Sequence, residues 1–285
     1  MNEKIAEQLK IMGMAWDGLR EIRSKDGIFV YRVICGDKTY VLKYFDNVEH
    51  RREIGNYKIL MDLDIPTAKL VSHTDHALLM EDIDQSVTMR LGVKEDLHDT
   101  EVAGKIAKWY RMLHEKGKTF VAAHGNGLYD EADMITLENI ELIKYKTNTD
   151  TADSPAWNIL NEKFSVLKNR LNQTEKTLCY NDFYYTNMIV AKDKSAALMF
   201  DYNLLGKGYV YSDIRNVCSS LGDDARAEFL AAYGGYDKEE IILDDVVGTL
   251  VSLYVACTRE KFPSWAEESV EDVKSGKFAR ALKRL

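Results

Sequence analysis

An aspartate, an asparagine five residues later and a second aspartate closing an apolar run are the residues in this chain best suited to do chemistry. They are Asp182 and Asn187, in Tyr180-Asn181-Asp182-Phe183-Tyr184-Tyr185-Thr186-Asn187, and Asp201, in Phe200-Asp201-Tyr202. The chemistry they fit is phosphoryl transfer, in which one carboxylate aligns a hydroxyl while an amide oxygen and a second carboxylate hold magnesium against nucleotide phosphates. Asp182 is the expected base. Asn187 and Asp201 are the expected magnesium ligands, since that hard cation takes few protein oxygens and keeps the rest of its shell for water and phosphate. Each of the three alone reads as a turn or capping residue. Their joint spacing carries the expectation.

A phosphate also needs a cation, and Lys43 in Tyr40-Val41-Leu42-Lys43-Tyr44-Phe45 is placed to supply one. In a strand, Lys43 shares a face with Val41 and Phe45, and the opposite face is Tyr40, Leu42 and Tyr44. Both faces are apolar, so the ammonium needs an anion; the plainer reading is a lysine snorkelling from a sheet edge. Glu53 is the expected partner, because on the following helix it shares a face with Tyr57 and Leu60. Glu49, one turn earlier, is the rival. Two further contributions to nucleotide binding rest on backbone alone. The turn around Ser24 and Gly27 offers N–H groups to phosphates, unless it is an ordinary tight turn. Glu81 and Ile83, in Leu78-Leu79-Met80-Glu81-Asp82-Ile83, offer an edge to adenine by their position in the chain.

These residues must be positioned by a β-rich beginning and a helical remainder. Ile28 to Ile34 and Thr39 to Phe45 predict two strands joined at Gly36-Asp37. A helix follows from about Asn47 to Leu63, closed by Asp64-Ile65-Pro66, and Ala77 to Met80 predicts another strand. Val102, Ile106, Trp109, Tyr110 and Leu113 recur at helical spacing. Ser154-Pro155 opens a helix that runs to about Leu171. Short strands at 179–180, 188–190 and 197–200 flank the two motifs. Further helices are expected over 213–221, 225–233, 244–259 and 264 to the end. The fold class is α+β, with a small β-rich lobe over 1–83 and a larger, mainly helical lobe over 84–285.

The bulk composition narrows the partners. A formal net charge of -8 argues against nucleic acid. Cys35, Cys179, Cys218 and Cys257 are too scattered for a zinc site or disulfide framework, and His73, His76, His98 and His124 lack ligand spacing. His114 reads as a packed or capping histidine, and Asp213 as a cap at a helix start. The basic ending (Lys274, Lys277, Arg280, Lys283, Arg284) reads as a solvated helix face. The charged start lacks a signal-peptide core, and the apolar stretch 246–257 is too short to span a bilayer. A cytoplasmic protein with no membrane partner is expected.

With these residues in order, the chain resembles the aminoglycoside phosphotransferase and choline kinase superfamily, whose fold is similar to that of protein kinases. Arg52-Glu53-Ile54 through Leu60, then Ile65-Pro66, resembles the family's glutamate helix and proline turn. Met112-Leu113-His114 is similar to the helix that closes in Leu-His. Asp182 with Asn187 matches the catalytic loop, Asp201 the metal-binding aspartate, and Tyr211-Ser212-Asp213-Ile214 a downstream aspartate motif. The resemblance implies that Lys43 and Glu53 form a phosphate-aligning ion pair. It also implies ATP, with GTP as the other option, and Mg2+. By the same resemblance the lobe over 1–83 binds nucleotide, and the lobe over 84–285 is catalytic and binds the acceptor. One departure stands out: where the family loop begins His-Gly-Asp, this chain has Tyr180-Asn181-Asp182. The resemblance implies a kinase for a hydroxyl of a small molecule. Acidic pairs at 239–240, 244–245 and 267–268 hint at a cationic acceptor. The alternative is a catalytically weak or inactive kinase fold that binds nucleotide as a scaffold.

Overall fold

The computed structural model describes residues 1–285. In chain order the helices and strands are α1 (Asn2–Ile11), β1 (Gly18–Lys25), β2 (Ile28–Cys35), β3 (Lys38–Phe45), α2 (Arg52–Asp62), β4 (Leu70–His73), β5 (Ala77–Glu81), β6 (Met89–Leu91) and α3 (Thr100–His124). Then come β7 (Tyr129–Asp130), α4 (Leu137–Lys146), α5 (Asn148–Thr151), α6 (Ala156–Gln173), β8 (Thr177–Cys179), β9 (Met188–Ala191), β10 (Ala197–Met199) and β11 (Gly206–Gly208). Helices α7 (Val210–Cys218), α8 (Asp223–Tyr233), α9 (Glu239–Cys257), α10 (Glu267–Lys274) and α11 (Lys277–Arg284) complete the chain. The class is α+β, as expected. The chain forms two compact units, one made of residues 1–117, 180–205 and 216–234, the other of 118–179, 206–215 and 235–285. The β-rich stretch 1–83 lies wholly in the first. No helix is long and apolar enough to cross a membrane.

The first unit is organised by a five-stranded antiparallel sheet in the order β1-β2-β3-β5-β4. Both of its leading hairpins turn on two residues with the dihedrals such turns demand. Asp26 and Gly27 both have positive φ at the first, and Gly36 does at the second. Ile5 and Leu9 of α1 cover the sheet face carrying Tyr31, Val33, Leu42 and Tyr44. Strand alternation sends Lys43 to the other face. A second sheet, β10-β9-β6, is built from short, largely buried strands. Beside it, α3 buries the expected stripe Val102, Ile106, Trp109, Tyr110 and Leu113. The Trp109 indole donates to the Pro66 carbonyl at 2.8 Å, tying that helix to the proline turn.

The second unit packs α4, α6, α9 and α11 around one apolar core that includes Trp157, Leu160, Leu171, Leu250, Leu253, Phe278 and Leu282. A three-stranded sheet, β7-β11-β8, adds to it. Of the acidic pairs, Glu240 and Asp244 turn inward one helical turn apart, while Glu239 and Asp245 stay exposed. Asp244 accepts from the Tyr209 hydroxyl and from Arg215, both at 2.8 Å. Glu240 accepts from the Tyr211 N–H, and burial pushes it up to about 7.

Several elements differ from the sequence reading, for local reasons. Ser24 is an exposed residue inside β1, a strand the sequence reading did not place, and Gly27 sits in the two-residue turn that follows. The helix expected from 264 onwards is two helices, because Gly276 takes a left-handed conformation (φ 75°) after Ser275. Tyr180 lies beyond β8, and β8 pairs with β11 rather than with the strands around residues 188–199.

Asp82, at the end of β5, has a structural role that the sequence did not announce. It is buried, and it accepts from Arg32 at 2.6 and 3.1 Å and from the Thr39 hydroxyl at 2.6 Å, so it clasps β2 and β3. Burial alone would raise this carboxylate, but the Arg32 and Thr39 hydrogen bonds win and hold it below its usual range. Its contribution to stability is therefore complete above about pH 4 and is lost as the pH falls through its depressed folded value. Asp82→Asn should lower stability by about 3 kcal/mol, because it leaves Arg32 short of its buried partner. Urea denaturation at pH 7 and at pH 3 checks this: the difference between wild type and variant should shrink at the lower pH.

Candidate active site

The spacing between Asn187 and Asp201 is explained by one hairpin. Asn187 immediately precedes β9, and Asp201 lies two residues after β10. The antiparallel register sets Met188 opposite Met199, and the Phe200 N–H donates to the Asn187 carbonyl at 2.9 Å. Two oxygen-bearing side chains thus emerge at the same end of the same pair of strands. A register slip of one residue would send either side chain to the opposite face.

Lys43 is buried, at 7% exposure, and its ammonium donates to Glu53 at 2.6 Å and to Asp201 at 2.8 Å. Glu53 is itself 1% exposed, whereas Glu49 is exposed and pairs with nothing in the site, so the structure selects Glu53 as the partner. Burial works against the charge on Lys43, yet the two carboxylates hold its pKa above the ordinary value. Glu53 is pushed up to about 7 by burial, against the pull of Lys43. Next to this group, the Asn187 amide donates to the Asp182 carbonyl at 3.2 Å and to its carboxylate at 3.1 Å. Burial first, and then the charge of Asp201, raise Asp182 to about 6. It is thus a stronger base than a solvated aspartate while remaining mostly ionised at neutral pH.

The donor set suits magnesium. With its NH2 spent on Asp182, Asn187 has its amide oxygen available, and the Asp201 side chain is one-third exposed although one oxygen meets Lys43. Hard oxygen donors beside solvent, with no sulfur or imidazole among them, are what this cation takes.

The structure therefore brings together Lys43, Glu53, Asp182, Asn187 and Asp201, all in the first unit. The backbone candidates lie on β1, β5 and the segments joined to them, and make no hydrogen bond to that group. Ser24 and Gly27 occupy the first hairpin. The Glu81 N–H is taken by the Lys69 carbonyl, and the Ile83 side chain packs with Ala68 and Ile189. His114 is buried and shares a 2.7 Å hydrogen bond with the Tyr233 hydroxyl, in keeping with a packed histidine. The aromatic run after Asp182 divides: Phe183 is buried near Tyr110, while Tyr184 is exposed and stacks on Tyr185.

Two supporting residues escaped the sequence reading. Asn56 is 5% exposed and donates to the carbonyls of Tyr202 at 2.7 Å and Leu205 at 3.3 Å, so α2 grips the segment just after Asp201. The available signal was a polar residue on the Glu53–Tyr57–Leu60 face of that helix. Gly92 donates its N–H to the Met188 carbonyl, and a Cβ there would collide with the Tyr185 carbonyl and lie 2.8 Å from the Met188 Cβ. Only glycine lets that backbone approach the Asp182–Asn187 loop so closely.

A family model for the phosphotransferase enzyme family matches residues 20–243. The chain belongs to that family. No curated protein matches the sequence, but solved structures do at the level of fold. Choline kinase LicA from Streptococcus pneumoniae is 16% identical, with a TM-score of 0.61, over 100% of this chain and 99% of that one. Macrolide 2'-phosphotransferase MphH from Brachybacterium faecium is 14% identical, with a TM-score of 0.62, over 96% and 98%. Spectinomycin phosphotransferase APH(9)-Ia, in complex with ADP and spectinomycin, is 14% identical, with a TM-score of 0.59, over 99% and 98%. The architecture of this phosphotransferase is thus the protein-kinase-like one that its motifs suggested.

Two outcomes follow for the site. Lys43→Met should destabilise the protein by about 3–5 kcal/mol, and Lys43→Met/Glu53→Met should recover much of that, since the cost lies in the carboxylate left behind rather than in the pair. Thermal unfolding of the two variants checks it. Gly92→Ala should cost about 1–3 kcal/mol through overpacking. It should also disturb the 185–188 backbone, seen as faster amide exchange there while the five-stranded sheet keeps its protection.

Proposed function

We propose that this phosphotransferase is a small-molecule kinase that moves the γ-phosphate of ATP, or of GTP, to a hydroxyl of a small acceptor. The observation that carries the reading is the convergence of a buried, doubly paired lysine with an aspartate, an asparagine and a second aspartate within one compact unit. Asp182 accepts the hydrogen bond of the acceptor hydroxyl, orients it and takes its proton as the new P–O bond forms. The bond from the γ-phosphorus to the bridging oxygen breaks, and that oxygen leaves with ADP (or GDP). Asn187 fixes the rotamer of Asp182 from the NH2 side of its amide. Lys43 presents its charge to phosphate oxygen, and Glu53 keeps the ammonium from collapsing wholly onto Asp201. Asp201 and the amide oxygen of Asn187 would hold magnesium. Bound there, the ion supplies positive charge that offsets the charge on the phosphate oxygens.

Backbone at Ser24, Gly27, Glu81 and Ile83 belongs to this proposal as nucleotide contacts, as does a division of labour between a nucleotide-binding lobe (1–83) and an acceptor lobe (84–285). Supporting the reading, the related spectinomycin phosphotransferase was solved with ADP, and related folds carry macrolide, choline and spectinomycin activities by name. Of the two inward acidic residues, Asp244 is already paired with Arg215, which leaves Glu240 as the one compatible with a cationic acceptor. A cytoplasmic enzyme is consistent with the four free cysteines. A scaffold that merely binds nucleotide would have no chemical need for Asp182 in addition to Lys43 and Asp201.

A coupled ADP-release screen over aminoglycosides, amino alcohols, sugars and amino acids tests the proposal. Turnover should appear with one acceptor class and fall by about 100-fold or more in Asp182→Asn. Nucleotide binding without any turnover sensitive to that substitution would favour the scaffold.

A further inference from the structure

Where related loops carry His-Gly, this chain carries Tyr180-Asn181, and both side chains reach to the same short stretch of backbone. Tyr180 is fully buried, and its hydroxyl donates to the Phe200 carbonyl at 2.5 Å. The Asn181 amide donates to the Leu204 carbonyl at 3.1 Å. These contacts fall on either side of Asp201, one residue before it and three after. Phe200 is held on its amino side as well, since its N–H donates to the Asn187 carbonyl. One residue, through its N–H and its carbonyl, therefore links the residue that begins the catalytic loop to the residue that ends it, with the metal-site aspartate next in the chain.

The backbone between these anchors needs holding. Asp201 has φ 64° and Asn181 also has φ 64°. This is the left-handed region, which a non-glycine residue enters at a cost of order 1 kcal/mol and keeps only when its surroundings impose it. Asn and Asp are the side chains that tolerate it best. Asn181 can thus adopt the conformation a glycine would, while adding a tether no glycine has. The Tyr180 ring is fixed by edge-on neighbours, with Trp109 at 5.8 Å and Tyr202 at 6.1 Å, so its hydroxyl has little freedom to swing away.

We propose that Tyr180 and Asn181 are positioning residues that act as a two-point clamp on Asp201, setting the carboxylate for a divalent cation. The clamp rests on the kinase reading of the site. It reaches the metal only through the backbone on either side of Asp201; neither side chain is a ligand. Lys43 and Asn56 also hold this segment, through the Asp201 carboxylate and the carbonyls of Tyr202 and Leu205, and the two tethers act together on the backbone that turns at Asp201.

The test is binding of Mg2+ with a non-hydrolysable ATP analogue, followed by thermal shift, together with amide exchange over residues 200–205. Tyr180→Phe keeps the ring and removes only the hydroxyl. It should raise the Mg2+ concentration at the midpoint by about tenfold, the usual scale for a residue that supports a metal ligand. Analogue binding without Mg2+ should be unchanged, and exchange over 200–205 should quicken. Asn181→Gly should behave likewise, and the double variant should be no worse than about the poorer single, because the two tethers act on Asp201 as one unit. Tyr180→His should restore part of the Mg2+ affinity. Variants that lose melting temperature with an unmoved Mg2+ midpoint, or losses that simply add, would overturn the clamp. Asp201→Asn separates this from the underlying reading. If it loses the Mg2+ response while Tyr180→Phe keeps it, only the clamp fails; if it too keeps the response, the kinase reading of the site fails with it.

Discussion

A buried ammonium cannot be left alone, and much of this site can be read as the answer to that constraint. Removing a charge from water costs several kcal/mol unless partners compensate, so Lys43 requires anions at hydrogen-bond distance. Glu53 answers from α2 and Asp201 from the end of a β-hairpin, 158 residues further along the chain. Three pieces of backbone thereby share one ionic knot. Its energetic value as a stabilising element is modest, because desolvation takes back most of the Coulombic gain. Its value as a device for specificity is larger: α2, β3 and the Asp201 segment can meet in only one way without stranding a charge.

Much of this is legible in the order of the amino acids, for reasons that differ residue by residue. Lys43 is conspicuous because alternation gives it two apolar faces and no local partner. Glu53 is separable from Glu49 by helical phase, and burial bears that out. Asp182, Asn187 and Asp201 stand out by spacing, which the β9–β10 register explains. The stripe from Val102 to Leu113 is plain from period alone. Less legible are features that depend on tertiary partners. Strand β1 is polar and mostly exposed, so it offers no apolar alternation. Asp82 looks like any acidic residue near a strand end until Arg32 is seen beside it. Gly92 reveals itself only by what a methyl group would strike, and Asn56 only by the two carbonyls it faces.

The positive-φ residues show how local preference and global need are reconciled here. Asn181 and Asp201 are among the residue types that enter the left-handed region at least cost, and both sit where the chain must turn sharply to present a carboxylate. Local choice and global arrangement agree, as expected of a sequence that folds to one state. The departure from His-Gly in the loop is thus a substitution with its own internal logic: tyrosine brings a hydroxyl to a carbonyl, and asparagine keeps a glycine-like backbone while adding a hydrogen bond.

The hairpin formed by β9 and β10 has a consequence for how such a chain can diverge. Because both oxygen donors spring from one end of a single strand pair, their separation is a local dimension, like the jaw width of a pair of tongs. The tip, exposed at Asp193 and Ser195, lies at the handle end. Mutation there, or wholesale turnover of outlying helices, leaves the jaw unchanged. An architecture of this kind can drift to 16% identity with a choline kinase and still keep its span of common fold.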